Sequence, residues 1–452
     1  MPRLFGTDGV RGVANVELTN EIAYRLGQAA AAFMGPNIVI GKDTRLSGDM
    51  LEAAAAAGVM SAGGTALLAG IIPTPGIALL VNELHADGGI VISASHNPPE
   101  YNGIKLFDAQ GFKLPDEVED RIEAFITGGG LEAAAAEQGA TMLPGDSVGV
   151  SIEVEEARDI YINHVVESVK AQGLDFAGMH IALDAGHGAS ALTSAEAFER
   201  LGATVTVIND DFDGTDINVE CGSTCLGPLE ALMRESGADV GVAHDGDADR
   251  VMLMTPDGLV VDGDFVEAVM ALDMRERGVL ANDTVVSTVM CNLGLVKAME
   301  AEGIKVVQTK VGDRYVLEEM REYGYSLGGE QSGHMILLDY NSTGDGLMTA
   351  CQFLAAVVRS GKTVAEACSI MKKYPQTLIN VKGVDKHAME GNAALAAVVA
   401  EVEAELAGTG RVLLRPSGTE PLVRVMVEAL DADAAQTCAE RIAEVVKAEL
   451  SC

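Results

Sequence analysis

Three times along the chain a short apolar, β-branched run ends in a polar loop, passes into a helical stretch and returns through a glycine to a second apolar run. The first copy is IVIGKDTR, a helix expected over 48–62, then GGTALLAG. The second is HIALDAGHGAS, a helix over 190–201, then GATVTVIND; the third is TVVSTVMCN, a helix over 293–302, then GIKVVQTKVGDR. Each copy leads to one more apolar run that stops at a conspicuous polar loop: HADGGIVISASHNP, SGADVGVAHDGDADR and YGYSLGGEQSGH. Apolar runs alternating with helices indicate βαβ units and mostly parallel sheets. In such sheets ligands bind at the carboxyl ends of the strands. The pattern predicts three related α/β domains with mixed, mostly parallel sheets, each offering one functional loop.

The segment TGGGLEAAAAEQGATMLPGDSVG, residues 127–149, reads as the exit from the first domain. The expected domains are therefore 1–150, 151–251 and 252–371, the third starting straight after DGDADR. After about residue 372 the pattern changes. KKYPQTLINVKGV leads to an alanine-rich helix over 388–407, then to RVLLRPSGTEPLVRVMVEAL and a closing helix over 432–449. That is a small α+β domain over 372–452 whose two central strands flank one loop, RPSGTEP.

Composition narrows the setting. A chain of 452 residues exceeds what one hydrophobic core organises. Trp is absent, so aliphatic residues and Met must fill the cores. The longest apolar stretch, AGIIPTPGIALLV, holds two prolines and falls short of the ~20 residues a spanning helix needs. The start, MPRLFGTDGVRG, shows neither a basic leader nor an apolar core, so no signal peptide is expected. Seven cysteines without a CxxC pair read as reduced thiols of a cytoplasmic protein. A net charge of −36 argues against nucleic acid or an anionic membrane as partner. Salt hides most of that charge beyond ~8–10 Å, so a local cluster of Arg, Lys and backbone N–H groups can still hold an anion. On assembly the sequence is silent, and a homodimer stands as an open expectation.

The polar loops carry the candidate chemistry. In AHDGDADRV, Asp245, Asp247 and Asp249 alternate straight after an apolar run. Like charges ~4 Å apart repel by roughly 4 kcal/mol at an effective dielectric of about 20. Three such carboxylates need a cation or must splay into water, and oxygen-only ligands suit Mg²⁺. A Ca²⁺ loop of the EF-hand kind fits poorly, because its twelfth position, counted from Asp245, is Pro256. Ser95 in SASHNPP lacks the G-x-S-x-G of an α/β hydrolase, and an adjacent His96 is expected to point away. A serine near a metal loop suits phosphoryl transfer instead. Lys105, at the end of NGIK, can neutralise a phosphate or move protons, although such a residue alone reads as a surface lysine.

RPSGTEP gathers Arg415, Ser417, Gly418 and Thr419, with Arg424 on the strand beyond. Hydroxyls, an open glycine backbone and guanidinium forks are what a phosphate oxyanion needs. GGEQSGH offers Glu330 and Ser332 to sugar hydroxyls, plus His334; TDGVRG adds Arg11. A serine, a metal, a phosphate clamp and a hydroxyl reader together ask for a phosphorylated sugar.

From FGTDGVRG through SASHNP, DGDADR and GGEQSGH to RPSGTEP, five motifs in order resemble the α-D-phosphohexomutase superfamily over the whole length. The resemblance implies four domains around a central cleft and a serine, here Ser95, carried as phosphoserine. Ser95, Asp245, Asp247 and Asp249 would hold Mg²⁺. The phosphoserine would give its phosphoryl group to the substrate, and the other phosphate of the resulting bisphosphate would return to the serine. Arg415, Ser417, Gly418, Thr419 and Arg424 would hold the phosphate that is not reacting, and Glu330 and Ser332 the sugar. Arg11, Lys105 and His334 match positions near the reacting oxygens, and Arg250 would support the metal loop or touch phosphate. GEQSGH and RPSGTEPLVRVMVE resemble the branch that interconverts glucosamine 6-phosphate and glucosamine 1-phosphate on the route to UDP-N-acetylglucosamine. Glucosamine 1,6-bisphosphate, or glucose 1,6-bisphosphate, would then be the intermediate and activator.

Overall fold

The structure, a computed structural model, describes residues 3–6, 8–137, 142–417 and 421–451; of 135–137 it describes the backbone alone. The chain forms two compact units, Met1–Met290 with Ile304–Ser369, and Cys291–Gly303 with Ile370–Cys452.

The first unit holds three sheets. In the first, β1 (Val10–Val13), β2 (Asn37–Lys42), β3 (Thr65–Ile71), β4 (Gly88–Ile92), β5 (Tyr101–Phe107) and β6 (Ser151–Glu153) run in the order β1-β5-β4-β2-β3-β6. In the second, β7 (His180–Asp184), β8 (Thr204–Ile208), β9 (Val240–His244), β10 (Val251–Met254) and β11 (Val260–Val261) run β11-β10-β9-β7-β8. In the third, β12 (Thr284–Thr288), β13 (Lys305–Thr309), β14 (Leu327–Gly329) and β15 (Met335–Leu337) run β13-β12-β14-β15.

One four-strand pattern recurs in all three. Two parallel neighbours flank the first strand of each repeat, and an antiparallel return strand pairs with the outer one. The loops 93–100, 245–250 and 330–334 are thus the turns of β4–β5, β9–β10 and β14–β15. They occupy equivalent places, at the carboxyl end of a strand buried along its whole length. Burial on both faces explains why GGIVI and VGVAH read as unbroken small or apolar runs rather than alternating ones.

This topology moves two expected boundaries. Ser151–Glu153 closes the first sheet, parallel to β3, instead of opening the second domain. β10 and β11 extend the second sheet as far as Val261, instead of starting the third domain at 252, because the strand after DGDADR is an antiparallel return. The helix expected over 190–201 is a 3₁₀ turn at Ala189–Leu192 and a helix at Ser194–Arg200, broken at Thr193. The helix Gly346–Ser360 is buried for most of its length, and its capping Asp345 accepts from Met348 N at 2.9 Å and from the Tyr161 hydroxyl at 2.7 Å. That carboxylate joins the helix Ala157–Lys170 to the third repeat.

The second unit has an antiparallel sheet in the order β16-β18-β17, from β16 (Gln376–Lys382), β17 (Arg411–Pro416) and β18 (Leu422–Glu428). Helices Ala393–Leu406 and Ala432–Leu450 cover it, with Val402, Val425, Ile442 and Val446 fully buried between. The first helix starts later than the expected 388, because Gly391 turns with a φ of 76° and the Asn392 side chain caps Ala394 N and Leu395 N. Helix Leu293–Ala301, third-repeat in sequence, packs in this unit: buried Glu428 accepts from Leu293 N and Asn292 Nδ2, each at 3.0 Å. A carboxylate there complements the helix N-terminus. Among the described residues no helix is long and apolar enough to cross a membrane.

Candidate active site

Ser95 follows β4 by three residues, with a φ of 51° that puts a non-glycine residue in the left-handed region. Such a conformation persists only where its surroundings enforce it. Here Ser95 N donates to Ser93 Oγ at 2.9 Å, and Ser93 Oγ donates to Asp43 Oδ2 at 2.6 Å. Arg45, fully buried at its side chain, donates to Asp43 Oδ2 and to the carbonyls of Ser95, Asn97, Pro98 and Tyr101. One guanidinium thereby gathers four carbonyls of the serine loop and its exit.

The Ser95 hydroxyl, 1% exposed, donates to Asp245 Oδ2 at 2.6 Å. Contrary to expectation, His96 does not point away: its Nδ1 lies 3.3 Å from Ser95 Oγ. Burial, with Arg250 and Arg11 nearby, holds the His96 imidazole below its usual pKa. Asp245 is the closer partner. Gly246 makes the approach of the two loops feasible, since a Cβ there would stand 2.7 Å from the Ser95 carbonyl oxygen.

Asp245, Asp247 and Asp249 are all buried, and one carboxylate oxygen of each lies within 4.8 Å of the others. Thr74 braces the loop twice, its N–H donating to Asp247 O at 3.0 Å and its hydroxyl to Asp247 Oδ2 at 2.6 Å. Burial, then Asp249 and Asp247, pushes the Asp245 carboxyl well above the ordinary range. Burial acts on Asp249 the same way, but Lys105, His334 and Arg250 overcome it and hold that carboxyl well below. Asp247 Oδ1 is buried without a hydrogen-bond partner. A buried carboxylate oxygen without a partner is costly, and a hard dication accepting oxygen ligands removes that cost. The donor set fits such a metal ion.

Lys105 is not the surface residue its context suggested. On β5, 1% exposed, it reaches Asp247 at 2.9 Å, Asp8 at 3.1 Å and Asp249 at 3.4 Å. Those carboxylates outweigh burial and raise its pKa well above the ordinary lysine value. Arg11, on β1 beside β5, is ion-paired with Asp8. Arg250 Nε lies 3.7 Å from Asp249 Oδ1.

The third loop brings His334 to the same place. It is 3% exposed, with Nδ1 3.5 Å from Asp249 and Nε2 3.6 Å from Asp313. These two carboxylates raise its pKa against the effect of burial. The ring packs flat on Gly344, where any Cβ would collide with it. Glu330 Oε1 accepts from Gly312 N at 3.1 Å, which fixes the carboxylate against the loop before the helix Asp313–Tyr323. Ser332 Oγ is buried with no hydrogen-bond partner.

In the second unit Arg415 and Arg424 face each other across β17 and β18. Burial and the neighbouring Arg424 lower the Arg415 pKa, the mark of two cations held together. Ser417, 3% exposed, donates its N–H to Leu422 O at 3.0 Å, and its carbonyl accepts from Lys386 at 2.7 Å. Like charges opposed across a ladder destabilise it, and an anion between them reverses the sign. Gly418 and Thr419 lie outside the described residues.

The first unit thus gathers Ser95, Lys105, Arg11, Arg250, His334 and the three aspartates, while Arg415, Ser417 and Arg424 meet one another in the second. Sequence reasoning missed Asp8, Arg45, Thr74, Lys113, Asp313 and Lys386. Arg45 carried a signal, an Asp-x-Arg at a strand end in IVIGKDTR; the others became legible only through the fold.

Residues 2–132, 159–258 and 262–374 match phosphoglucomutase/phosphomannomutase alpha/beta/alpha domains I, II and III, and 378–445 match the C-terminal domain. A phosphoglucosamine mutase from Streptomyces avermitilis is 51% identical over 464 residues, covering all of both chains. One from Clostridium acetobutylicum is 48% identical over 99% of each. A crystal structure of a phosphoglucomutase/phosphomannomutase family protein from Burkholderia thailandensis superimposes with a TM-score of 0.80 at 23% identity, covering 99% of this chain and 97% of that one. An Aspergillus fumigatus N-acetylphosphoglucosamine mutase, in complex with GlcNAc-6P and magnesium, gives 0.70 at 18% identity, covering 99% and 96%. The chain belongs to the phosphoglucomutase/phosphomannomutase family.

Proposed function

We propose that this protein interconverts glucosamine 6-phosphate and glucosamine 1-phosphate through a phosphoserine at Ser95, feeding the synthesis of UDP-N-acetylglucosamine. The observation that carries the reading is the 2.6 Å bond from Ser95 Oγ to Asp245 in a buried three-carboxylate loop. Phosphoglucosamine mutases about half identical over the full length support the choice of sugar.

In the forward half-reaction the phosphoserine P–O bond breaks and Ser95 Oγ takes up a proton, while a bond forms from phosphorus to the free hydroxyl oxygen of the sugar, whose proton passes to a nearby base. The bisphosphate then presents its other phosphate, that phosphoryl group passes to Ser95 Oγ, which gives up its proton, and the sugar oxygen it leaves takes one up. Asp245, Asp247, Asp249 and a phosphoryl oxygen on Ser95 would hold Mg²⁺, which neutralises charge developing on the transferred group. Lys105 and His334, both buried, face the reacting oxygens with Arg11; in its protonated form such a group supplies the proton, and in its neutral form it receives one. Arg250 steadies Asp249 and the phosphoryl group. Glu330 and Ser332 take sugar hydroxyls; Arg415, Ser417, Gly418, Thr419 and Arg424 take the distal phosphate. A trace of glucosamine 1,6-bisphosphate or glucose 1,6-bisphosphate keeps Ser95 phosphorylated. The protein acts on a small phosphosugar in the cytoplasm.

The test is kcat/KM on glucosamine, glucose and mannose 1-phosphates with Mg²⁺ and a trace of the matching bisphosphate. A glucosamine preference of about tenfold or more, ~1.4 kcal/mol of transition-state discrimination, is expected. Preference for glucose or mannose by that margin overturns the sugar assignment; phosphate release without isomer formation overturns the mutase.

A further inference from the structure

Lys113 and Asp313 belong to none of the loops that mark the site, yet they complete a closed circuit of charge around it. Lys113 Nζ lies 2.5 Å from Asp8 Oδ1 and 2.5 Å from Asp313 Oδ2. From Asp8 the circuit continues through Lys105, at 3.1 Å, to Asp249, at 3.4 Å. From Asp249 it runs to His334 Nδ1, at 3.5 Å, and from His334 Nε2 back to Asp313 Oδ2, at 3.6 Å. Each of the six groups touches two of opposite sign. We propose that Lys113 and Asp313 are positioning residues for phosphoryl transfer, holding Asp8 and His334, and through Asp8 the Lys105 ammonium, in the arrangement the reaction uses.

The inference rests on the mutase reading. Its support is local architecture. After β5 the chain turns at 108–112, where the Asp108 carboxylate accepts from Gln110 N and Phe112 N, each at 2.9 Å. An antiparallel bridge from Phe107 to Lys113 then returns Lys113 alongside the strand that carries Lys105. The turn is docked from outside: Ser342 Oγ donates to Gly111 O at 2.5 Å, and Arg321 stacks 3.9 Å from the Phe112 ring centroid. Asp313 opens the helix Asp313–Tyr323, where the helix dipole favours a carboxylate. The pair thus ties the Lys105 strand of the first repeat to the His334 loop of the third. With side chains only 15% and 18% exposed, little solvent screens it. Without Lys113, Asp8 and Asp313 would confront each other with no cation between them, and Lys105 and His334 would move to compensate.

A simple staple between repeats would show in stability alone, so the test separates stability from turnover. Lys113→Met, Asp313→Asn, their double variant and Lys113→Arg are assayed beside the wild type on whichever hexose 1-phosphate it converts fastest, with thermal melting by circular dichroism. The expected result is a fall in kcat of about 100-fold in each of the first two, at KM within about threefold of wild type. The double variant should be no slower than the slower single, as for residues acting as one unit, and Lys113→Arg should recover most of the rate. If Lys113→Met does not fold, the isosteric Asp313→Asn carries the test alone. Variants with lowered melting temperature but wild-type kcat, a rise in KM alone, or additive losses in the double variant would each overturn the proposal and leave the mutase reading standing. A folded wild type that isomerises none of the sugars would overturn both.

Discussion

Ser95 Oγ and Asp245 Oδ2 meet at 2.6 Å although β4 and β9 belong to different sheets, because equivalent turns of two repeats abut over Gly246. Replacing Ser95 with Ala removes the oxygen proposed to receive the phosphoryl group and little else, since Arg45 and Ser93 continue to define the loop. The expected outcome is a loss of about 10⁴-fold or more in kcat with an unchanged circular dichroism spectrum. Wild-type turnover by Ser95→Ala would exclude a phosphoserine there; intact-mass analysis of the wild type reports the modification directly.

Asp247→Asn keeps the bonds from Thr74 within reach but removes one of the three charges. The midpoint for Mg²⁺ activation should rise by at least about tenfold, with kcat falling alongside. An unchanged Mg²⁺ titration would remove Asp247 from the metal site.

Arg45→Met deletes a buried guanidinium that serves one carboxylate and four carbonyls. Breaking such a pair costs about 3–5 kcal/mol, so denaturant unfolding should show a large loss of stability, and residual activity should fall as Ser95 loses its enforced backbone. A variant as stable as wild type would mean that water takes over those carbonyls.

Glu119 supplies a pH dependence distant from the chemistry. Burial raises its carboxyl to about 7, with Arg314 and Arg3 offsetting part of the effect. Between an unfolded value near 4.5 and the folded value near 7, the folded state holds a proton the unfolded chain has released. Stability therefore declines as pH rises through that window and levels off above it. Melting curves from pH 4 to 9 should show this slope reduced in Glu119→Gln, which should also be the more stable protein at pH 8. A variant with the wild-type slope would contradict the assignment.

The strand-ending loops were legible because the physics that writes them is local: a buried parallel strand needs an unbroken small or apolar run, and the loop at its end must be polar. That is why Ser95, the three aspartates and His334 could be picked out. Lys105 taken alone reads as a surface lysine because alternation along NGIK says which face a side chain takes, not what lies on the far side of it. The same holds for Asp8, Lys113 and Asp313, spaced through the chain: Asp8 meets Arg11, Lys105 and Lys113 only once the first sheet has formed, and Lys113 meets Asp313 only when the first and third repeats meet. The boundaries failed for a related reason. A return strand and the opening strand of a repeat are equally apolar, and only pairing direction tells β10 from a beginning.

The charged groups around Ser95 have a consequence for how the site is filled. Asp8, Asp245, Asp247, Asp249 and Asp313 stand against Arg11, Lys105, Lys113, Arg250 and His334 with its pKa raised. The balance there turns on Asp245, whose carboxyl is pushed well above the ordinary range by burial and the neighbouring aspartates. In the proposed phosphoenzyme a phosphoryl dianion on Ser95 and a divalent cation beside it would together add no net charge, and either alone would leave a twofold excess among buried groups. The cation and the phosphoryl group would in that sense each stabilise the other's place in the site, and the phosphorylated form should bind Mg²⁺ more tightly than the unphosphorylated one.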